Sequence, residues 1–191
     1  AWARRMKLLR RAPPEADMQT FLKYALKYAL LTLLCPLIPH PRLRSAYLKG
    51  IGARIGANVR IENIHFIQIQ HPISNLNLGD NVFIGTNVAI DLSERINIGS
   101  GSSISPGCSL ITHQDAGAFN RTRLSDLYPK QYLPITIEDN VWIGCDTTVL
   151  PGAHIGPMTV IGAKSLVRGD IPGGVMAAGI PATVRKKLHG A

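Results

Sequence analysis

From residue 137 to residue 168 an aliphatic side chain recurs at every sixth position: Ile137, Ile143, Val149, Ile155, Ile161 and Val167 hold this register without a slip. Gly144, Gly156 and Gly162 directly follow three of them, and small or β-branched residues (Val141, Thr147, Ala153, Thr159, Ser165) stand four places after the aliphatic. A period of six suits neither a 3.6-residue helix nor the two-residue alternation of a strand. It suits short strands joined by tight turns and coiled so that each aliphatic lands above its equivalent. Glycine at a fixed phase marks corners where φ is positive or the backbone is crowded.

The register extends upstream. From Tyr47 onward come Ile51-Gly52, Ile55-Gly56, Val59 and Ile61, then an irregular Ile67 and Ile73. Leu78-Gly79, Ile84-Gly85 and Ile90 form a second set; Ile98-Gly99, Ile104 and Leu110 form a third, after a two-residue slip near Glu94-Arg95. The solenoid is therefore expected over residues 47–182, with a basic tail at 183–191. Residues 111–136 lose the period, which predicts an extruded loop, and long loops on rigid scaffolds tend to carry function. Thr112, His113, Gln114 and Asp115 stand at its root.

Residues 1–46 read differently. The first seventeen are basic and broken by Pro13-Pro14, with no small-residue cleavage site after an apolar core, so no secretory signal is expected. The lack of an initiating Met suggests a trimmed or tagged terminus. Residues 18–38 form the helix candidate, with Asp17 to cap it and Pro36 to stop it. Three readings stay open for that helix. It packs on the solenoid or a neighbouring subunit; or it lies in a membrane interface with Lys23, Lys27, Arg42 and Arg44 at the headgroups; or it spans a membrane. The third ranks last, because about a dozen uncharged residues before Arg42 fall short of the roughly 20 a span needs.

The 46% hydrophobic content supports a sizeable core, and 18 Gly with 13 Pro fit a chain full of corners. The formal charge is +9, clustered at Arg4, Arg5, Lys7, Arg10 and Arg11 and again at Arg42, Arg44, Lys49, Arg54 and Arg60. Such a balance solubilises a surface, or meets an anionic membrane or a phosphate-rich cofactor. No aromatic-interleaved basic module is present, so nucleic acid is not an expected partner. Cys35, Cys108 and Cys145 are odd in number and far apart, which fits a reducing cytoplasm rather than a disulfide framework or a zinc site. Cys108 occupies the small inward position of the repeat. His65 and His71 are six apart, on adjacent sides of a coil, and a third metal partner is not visible.

The segment VWIGCDTTVLPGAHIGPMTVIGAKSLVRGDIPGGVMAAGIPATVRKKL closely resembles the end of the hexapeptide-repeat O-acetyltransferases, the galactoside, maltose and polysaccharide acetyltransferase group. The resemblance covers roughly residues 47–188. It implies an all-β, left-handed parallel β-helix with three six-residue sides per coil, assembled as a homotrimer, with acetyl-CoA as donor. Acetyl transfer to a hydroxyl needs a base, and histidine suits that task near neutral pH. His113 matches the family's catalytic histidine ahead of the loop, whereas His154 lies in a regular turn and is read as surface. Asp115 either orients the imidazole, contacts the sugar or is an exposed loop acid. Asn87 occupies a position where related sequences place Asn near the acceptor or acetyl group; a turn Asn with positive φ explains it as well.

Residue-by-residue matching places Trp142 beside the site, from a neighbouring subunit, and donor contacts at Cys145, Ala163, Arg168, Gly169, Thr183 and Lys186. Arg168, Arg185 and Lys186 would meet CoA phosphates, although relatives often carry Thr-Lys where this chain has Arg168-Gly169. The implied activity is acetyl transfer to a sugar hydroxyl, with no metal and no covalent acetyl-enzyme. The helical, basic front end favours a lipid-linked saccharide or growing surface polysaccharide, handled in the cytoplasm with peripheral contact to the inner membrane face. Two other readings remain: an amino-sugar N-acetyltransferase on the same fold, and a non-catalytic or carbonic-anhydrase-like β-helix module.

Overall fold

The computed structural model describes residues 18–117 and 122–188. Three parallel sheets run along a left-handed β-helix of about six coils, and each full coil contributes one short strand to each sheet. The first face stacks Arg54–Ile55, Leu76–Leu78, Ile96–Ile98, Ile135–Ile137, His154–Ile155 and Asp170–Ile171. The second stacks Arg60–Ile61, Phe83–Ile84, Ser103–Ile104, Trp142–Ile143, Val160–Ile161 and Val175–Gly179. The third stacks His65–Ile67, Ala89–Asp91, Ser109–Leu110, Thr148–Val149 and Leu166–Val167.

The register explains the period of six. Along the first face Ile55, Leu78, Ile98, Ile137, Ile155 and Ile171 stand directly above one another. Ile61, Ile84, Ile104, Ile143 and Ile161 do the same on the second. Ile90, Leu110, Val149 and Val167 do so on the third. All are buried, and a fully buried aliphatic contributes about 1.5–3 kcal/mol. The small residues four places on are buried too, and their hydroxyls are satisfied at the corners: Thr147 and Ser165 both donate to the Gly162 carbonyl. Cys108 fills such a position, its Sγ donating to the Gly144 carbonyl, and burial pushes its thiol up to about 11.

The two explanations for corner glycine separate by position. Positive φ falls three places after the aliphatic, at Asn140, Asp146, Gly152, Met158 and Lys164. The glycine one place after it answers crowding instead. A Cβ on Gly144 would sit 2.5 Å from the Ala163 backbone nitrogen of the next coil.

The ends and the loop differ from expectation in their limits. Helix α1 (Met18–Tyr28) runs on through a π turn at Ala29–Leu34 and a 3-10 turn at Cys35–Leu37, where Pro36 stops it. Helix α2 (Pro41–Gly50) takes in Tyr47, so the solenoid begins near Arg54 rather than at 47. His40 caps α2, its Nδ1 accepting from the Arg42 N–H. Arg44, expected at a headgroup, is buried instead. Its guanidinium donates to the carbonyls of Cys35, Ile38 and Ile61, locking the N-terminal helices onto the first coil. A buried cation is tolerable only with such partners. The tail is not free either: Ala182–Lys187 folds back antiparallel on Val175–Gly179.

The interruption is shorter than 111–136. The chain re-enters the first face at Ile135, and His113–Gln114 pairs antiparallel with Gln131–Tyr132 to close the loop's neck. Beyond that ribbon stands helix α3 (Arg123–Leu127), capped by Thr122.

Gly144→Ala should lower stability by about 1–3 kcal/mol, the cost of overpacking a site that cannot yield, read as a lower urea midpoint at unchanged slope. Gly50→Ala, where an added Cβ meets nothing within 4 Å, should be neutral or slightly stabilising.

Candidate active site

The two-residue slip near Glu94-Arg95 is where the site begins. The chain there leaves the third face at Asp91 and takes residues 92–95 to reach Ile96 on the first face. Asp91 is fully buried. Its Oδ1 accepts from the Ser93 N–H at 3.0 Å and the Ser93 hydroxyl at 2.7 Å. Its Oδ2 accepts from the Thr112 N–H at 2.9 Å, the His113 N–H at 3.0 Å and His113 Nδ1 at 2.5 Å. Burial alone would push this carboxyl up. The hydrogen bonds from His113, Ser93 and Thr112 outweigh it and hold the group below its ordinary range.

An ionised Asp91 fixes the tautomer of His113. Nδ1 carries the proton it donates, which leaves the lone pair on Nε2. The imidazole side chain is 19% exposed, enough to reach a substrate and too little to be freely solvated. Thr112 braces the pair from below, its hydroxyl donating to the Asp91 carbonyl and accepting from the Glu94 N–H. The amide nitrogen of Gln68 lies 3.4 Å from His113 Nε2, and its carbonyl oxygen accepts from the Gln70 side chain. Gln68 itself has φ +54°. His71 beside it has its ring 5.6 Å from that of Tyr132, which stands opposite His113 in the ribbon.

A groove of about 440 Å³ opens beside this dyad, lined by Ile111, His113, Gln114, Leu150, Pro151, Leu166 and Arg168. His113 and Arg168 therefore share one hollow, large enough for a small ligand. Gly169 follows at the same edge with φ +73° and open space around it. Asn87, Cys145 and Ala163 line the opposite edge of the third face. Backbone bonds join that edge coil to coil: Gly107 N–H to Thr86, Asp146 N–H to Pro106, Lys164 N–H to Cys145. Asn87 has φ +57° and its side-chain oxygen lies 3.4 Å from His65 Nε2. Trp142 is on the second face, 55% exposed, its indole N–H donating to Ser105. Thr183 and Lys186 are exposed on the final strand, and Arg185 there donates to the Ala178 carbonyl.

One chain thus gathers His113, Arg168 and Gly169 at one edge and holds the other expected donor contacts on a second edge and another face. Asp115 accepts from the Gly117 N–H and pairs with Lys130 at 3.5 Å; the carboxylate on the imidazole is Asp91. Sequence reading passed over Asp91 and Gln68. The slip next to Asp91 was the visible signal for the first, and only the irregular stretch after Ile67 for the second. His154 is at the surface as expected, 2.6 Å from Glu138, and His189 lies outside the described residues. Among the described residues no three His, Cys, Asp or Glu side chains are grouped to hold a metal ion.

Comparisons with known proteins meet this geometry. Residues 134–169 match the family model described as bacterial transferase hexapeptide (six repeats). The chain is 32% identical over 146 residues to the galactoside O-acetyltransferase of Escherichia coli K12, covering 76% of this chain and 69% of that one. It is 35% identical over 143 residues to the putative colanic acid biosynthesis acetyltransferase WcaF of the same strain, covering 75% and 74%. A solved galactoside acetyltransferase in complex with coenzyme A superposes with a TM-score of 0.67 at 28% identity, covering 94% of this chain and 86% of the other. The coil architecture, the repeat and these identities agree, and the chain belongs to the hexapeptide-repeat acetyltransferase family.

Proposed function

We propose that this protein transfers acetyl from acetyl-CoA to a hydroxyl of a sugar, the acceptor being a lipid-linked saccharide or a surface polysaccharide unit, with His113 as general base. The observation that carries the reading is the buried Asp91 carboxylate 2.5 Å from His113 Nδ1, at the mouth of a groove that also holds Arg168. The colanic acid relative supports a polysaccharide acceptor.

Acetyl-CoA supplies a thioester carbonyl open to attack. Nε2 of His113 takes the proton of the acceptor hydroxyl as its oxygen attacks that carbonyl, and the imidazolium so formed rests against Asp91. The same nitrogen returns the proton to the departing thiolate, so the enzyme ends as it began. Gln68 would give way to the acceptor at Nε2, or turn its amide to hold it. Arg168 and Lys186 suit CoA phosphates, and the small residues at the Cys145 and Ala163 corners leave backbone accessible to an extended pantetheine arm. Cys145 takes no covalent part in this scheme. Because Trp142, Cys145 and Ala163 stand away from the His113 edge, the complete site is built between subunits of a homotrimer, each offering a different edge. The donor is a cytoplasmic metabolite, so the groove faces the cytoplasm.

His113→Ala should lower turnover by about two to four orders of magnitude, the worth of a positioned base, with acetyl-CoA binding retained in calorimetry. His154→Ala and Cys145→Ser should keep substantial activity. Full activity of His113→Ala on its acceptor, or an acetylated thiol on Cys145, would overturn the scheme.

Asp91→Asn should lower turnover by about two orders or more, since an amide oxygen no longer holds an imidazolium. It should also change the acid limb of stability. A carboxyl whose folded pKa is depressed stabilises above its unfolded value near 3.9, and that contribution is lost as pH falls through the folded value. The wild-type advantage over Asp91→Asn should be constant above about pH 5 and shrink in more acid solution, in urea titrations across pH. A difference that grows toward low pH would contradict the assignment.

Sedimentation equilibrium should show a trimer. A stable monomer with full turnover would remove the shared site.

A further inference from the structure

The apolar side chains at the N-terminal helix include a buried set and an exposed one. Leu31 and Cys35 are 3% and 2% exposed against the first coils, while Leu22, Leu26, Leu33, Leu34 and Leu37 are 46% to 75% exposed. An exposed apolar stripe of that kind signals a surface meant to be covered. The distribution of charge says what covers it. Residues 1–60 hold twelve Lys and Arg against two acids, while residues 61–191 hold nine against ten. The whole positive balance of the chain therefore lies in the part that bears the stripe. Lys23 beside the leucines, with Arg42 and Lys49 on α2, is exposed. Two copies meeting through this part would oppose like charges, whereas an anionic bilayer complements both features at once. Among the described residues no helix is long and apolar enough to cross a membrane.

The stripe is also tied to the groove. The turn Ala29–Leu34 lies against the strand His65–Ile67. Lys27 Nζ donates to the His71 carbonyl, the His71 ring meets Tyr132, and Tyr132 is the ribbon partner of His113. Gln68, in the same turn as His71, reaches His113 Nε2.

We propose that the exposed leucines of residues 22–37 are a docking face for an anionic lipid bilayer, seated in the interface rather than across it, which holds the His113 groove beside a saccharide carried on lipid. The proposal deepens the sugar acetyltransferase reading and rests on it for the acceptor, though docking itself does not depend on catalysis. Occupation of the face would be felt at Gln68 and the ribbon through Lys27 and His71.

The test uses the full chain and vesicles of phosphatidylcholine with or without about one third phosphatidylglycerol. Wild type should float with the anionic vesicles at least about tenfold more than with the neutral ones, and rising salt should weaken the binding. The double variant Leu26→Glu/Leu33→Glu changes two exposed side chains. It should lose about tenfold or more of that binding while keeping its sedimentation behaviour and its turnover on a soluble acceptor. Equal binding to both vesicle types, or unchanged binding by the double variant, overturns the proposal. So does dissociation of the oligomer in the variant, which would assign the leucines to a second copy. Wild-type docking together with full activity of His113→Ala would support the docking face while refuting the base.

Discussion

A coil of this solenoid adds to the core only if its aliphatic side chains stand directly above those of the coil before. That vertical registry leaves no room for additional residues inside a strand, so any excess chain must leave at a corner. Between the first and second faces the first five connections have four residues and the last has three. Between the third and first faces the first three connections have eight, four and twenty-four. The excess is confined to one edge, and that edge holds Gln68, Asp91 and His113. The rigid stack and the irregular edge are two consequences of one constraint: the regular faces hold the irregular corners in fixed relation, which is what catalysis by positioned groups requires.

The cost of the site is concentrated in Asp91. A carboxylate without solvent access loses several kcal/mol of hydration, and hydrogen bonds to a charged group return about 1.5–3 kcal/mol each. Five donors converge here: the N–H and hydroxyl of Ser93, the N–H groups of Thr112 and His113, and the His113 imidazole. Four of the five do not involve the imidazole, so in the proposed scheme the carboxylate would remain ionised and in place while His113 gained and lost a proton. That separation would let one residue cycle without its support cycling with it.

Much of this was legible in the chain itself. The six-residue phase identified the inward columns, the buried small positions such as Thr147 and Ser165, and the place where the loop departs, hence His113. What it could not supply was contact through space between residues far apart in sequence. Asp91 and His113 are separated by 22 positions and meet because successive coils stack on the third face, which brings the edge after Ile90 under the edge after Leu110. Arg44 was misread for a related reason: a periodic basic residue looks like a solvated one until the carbonyls at the helix end and the first coil surround it. Corner glycine needed coordinates as well, because crowding from the next coil and positive φ look identical in a sequence.

The N-terminal helix and the active edge show how a solenoid, whose repeats speak only to their neighbours, can still connect its end to its middle. Coil-to-coil transmission would have to pass through stacked aliphatics that resist displacement. The eight-residue corner at 68–75 bypasses them. It leaves the stack under the helix, where Lys27 holds the His71 carbonyl, and it reaches up the edge to Tyr132 and His113. Ile69 and Ile73 anchor that corner in the core, while Gln70 and His71 between them stay outside it. The same excess length that registry expelled from the stack thereby links the charged end to the imidazole, and a substitution at His71, which touches no substrate in the scheme above, is the place where such a link would be cut.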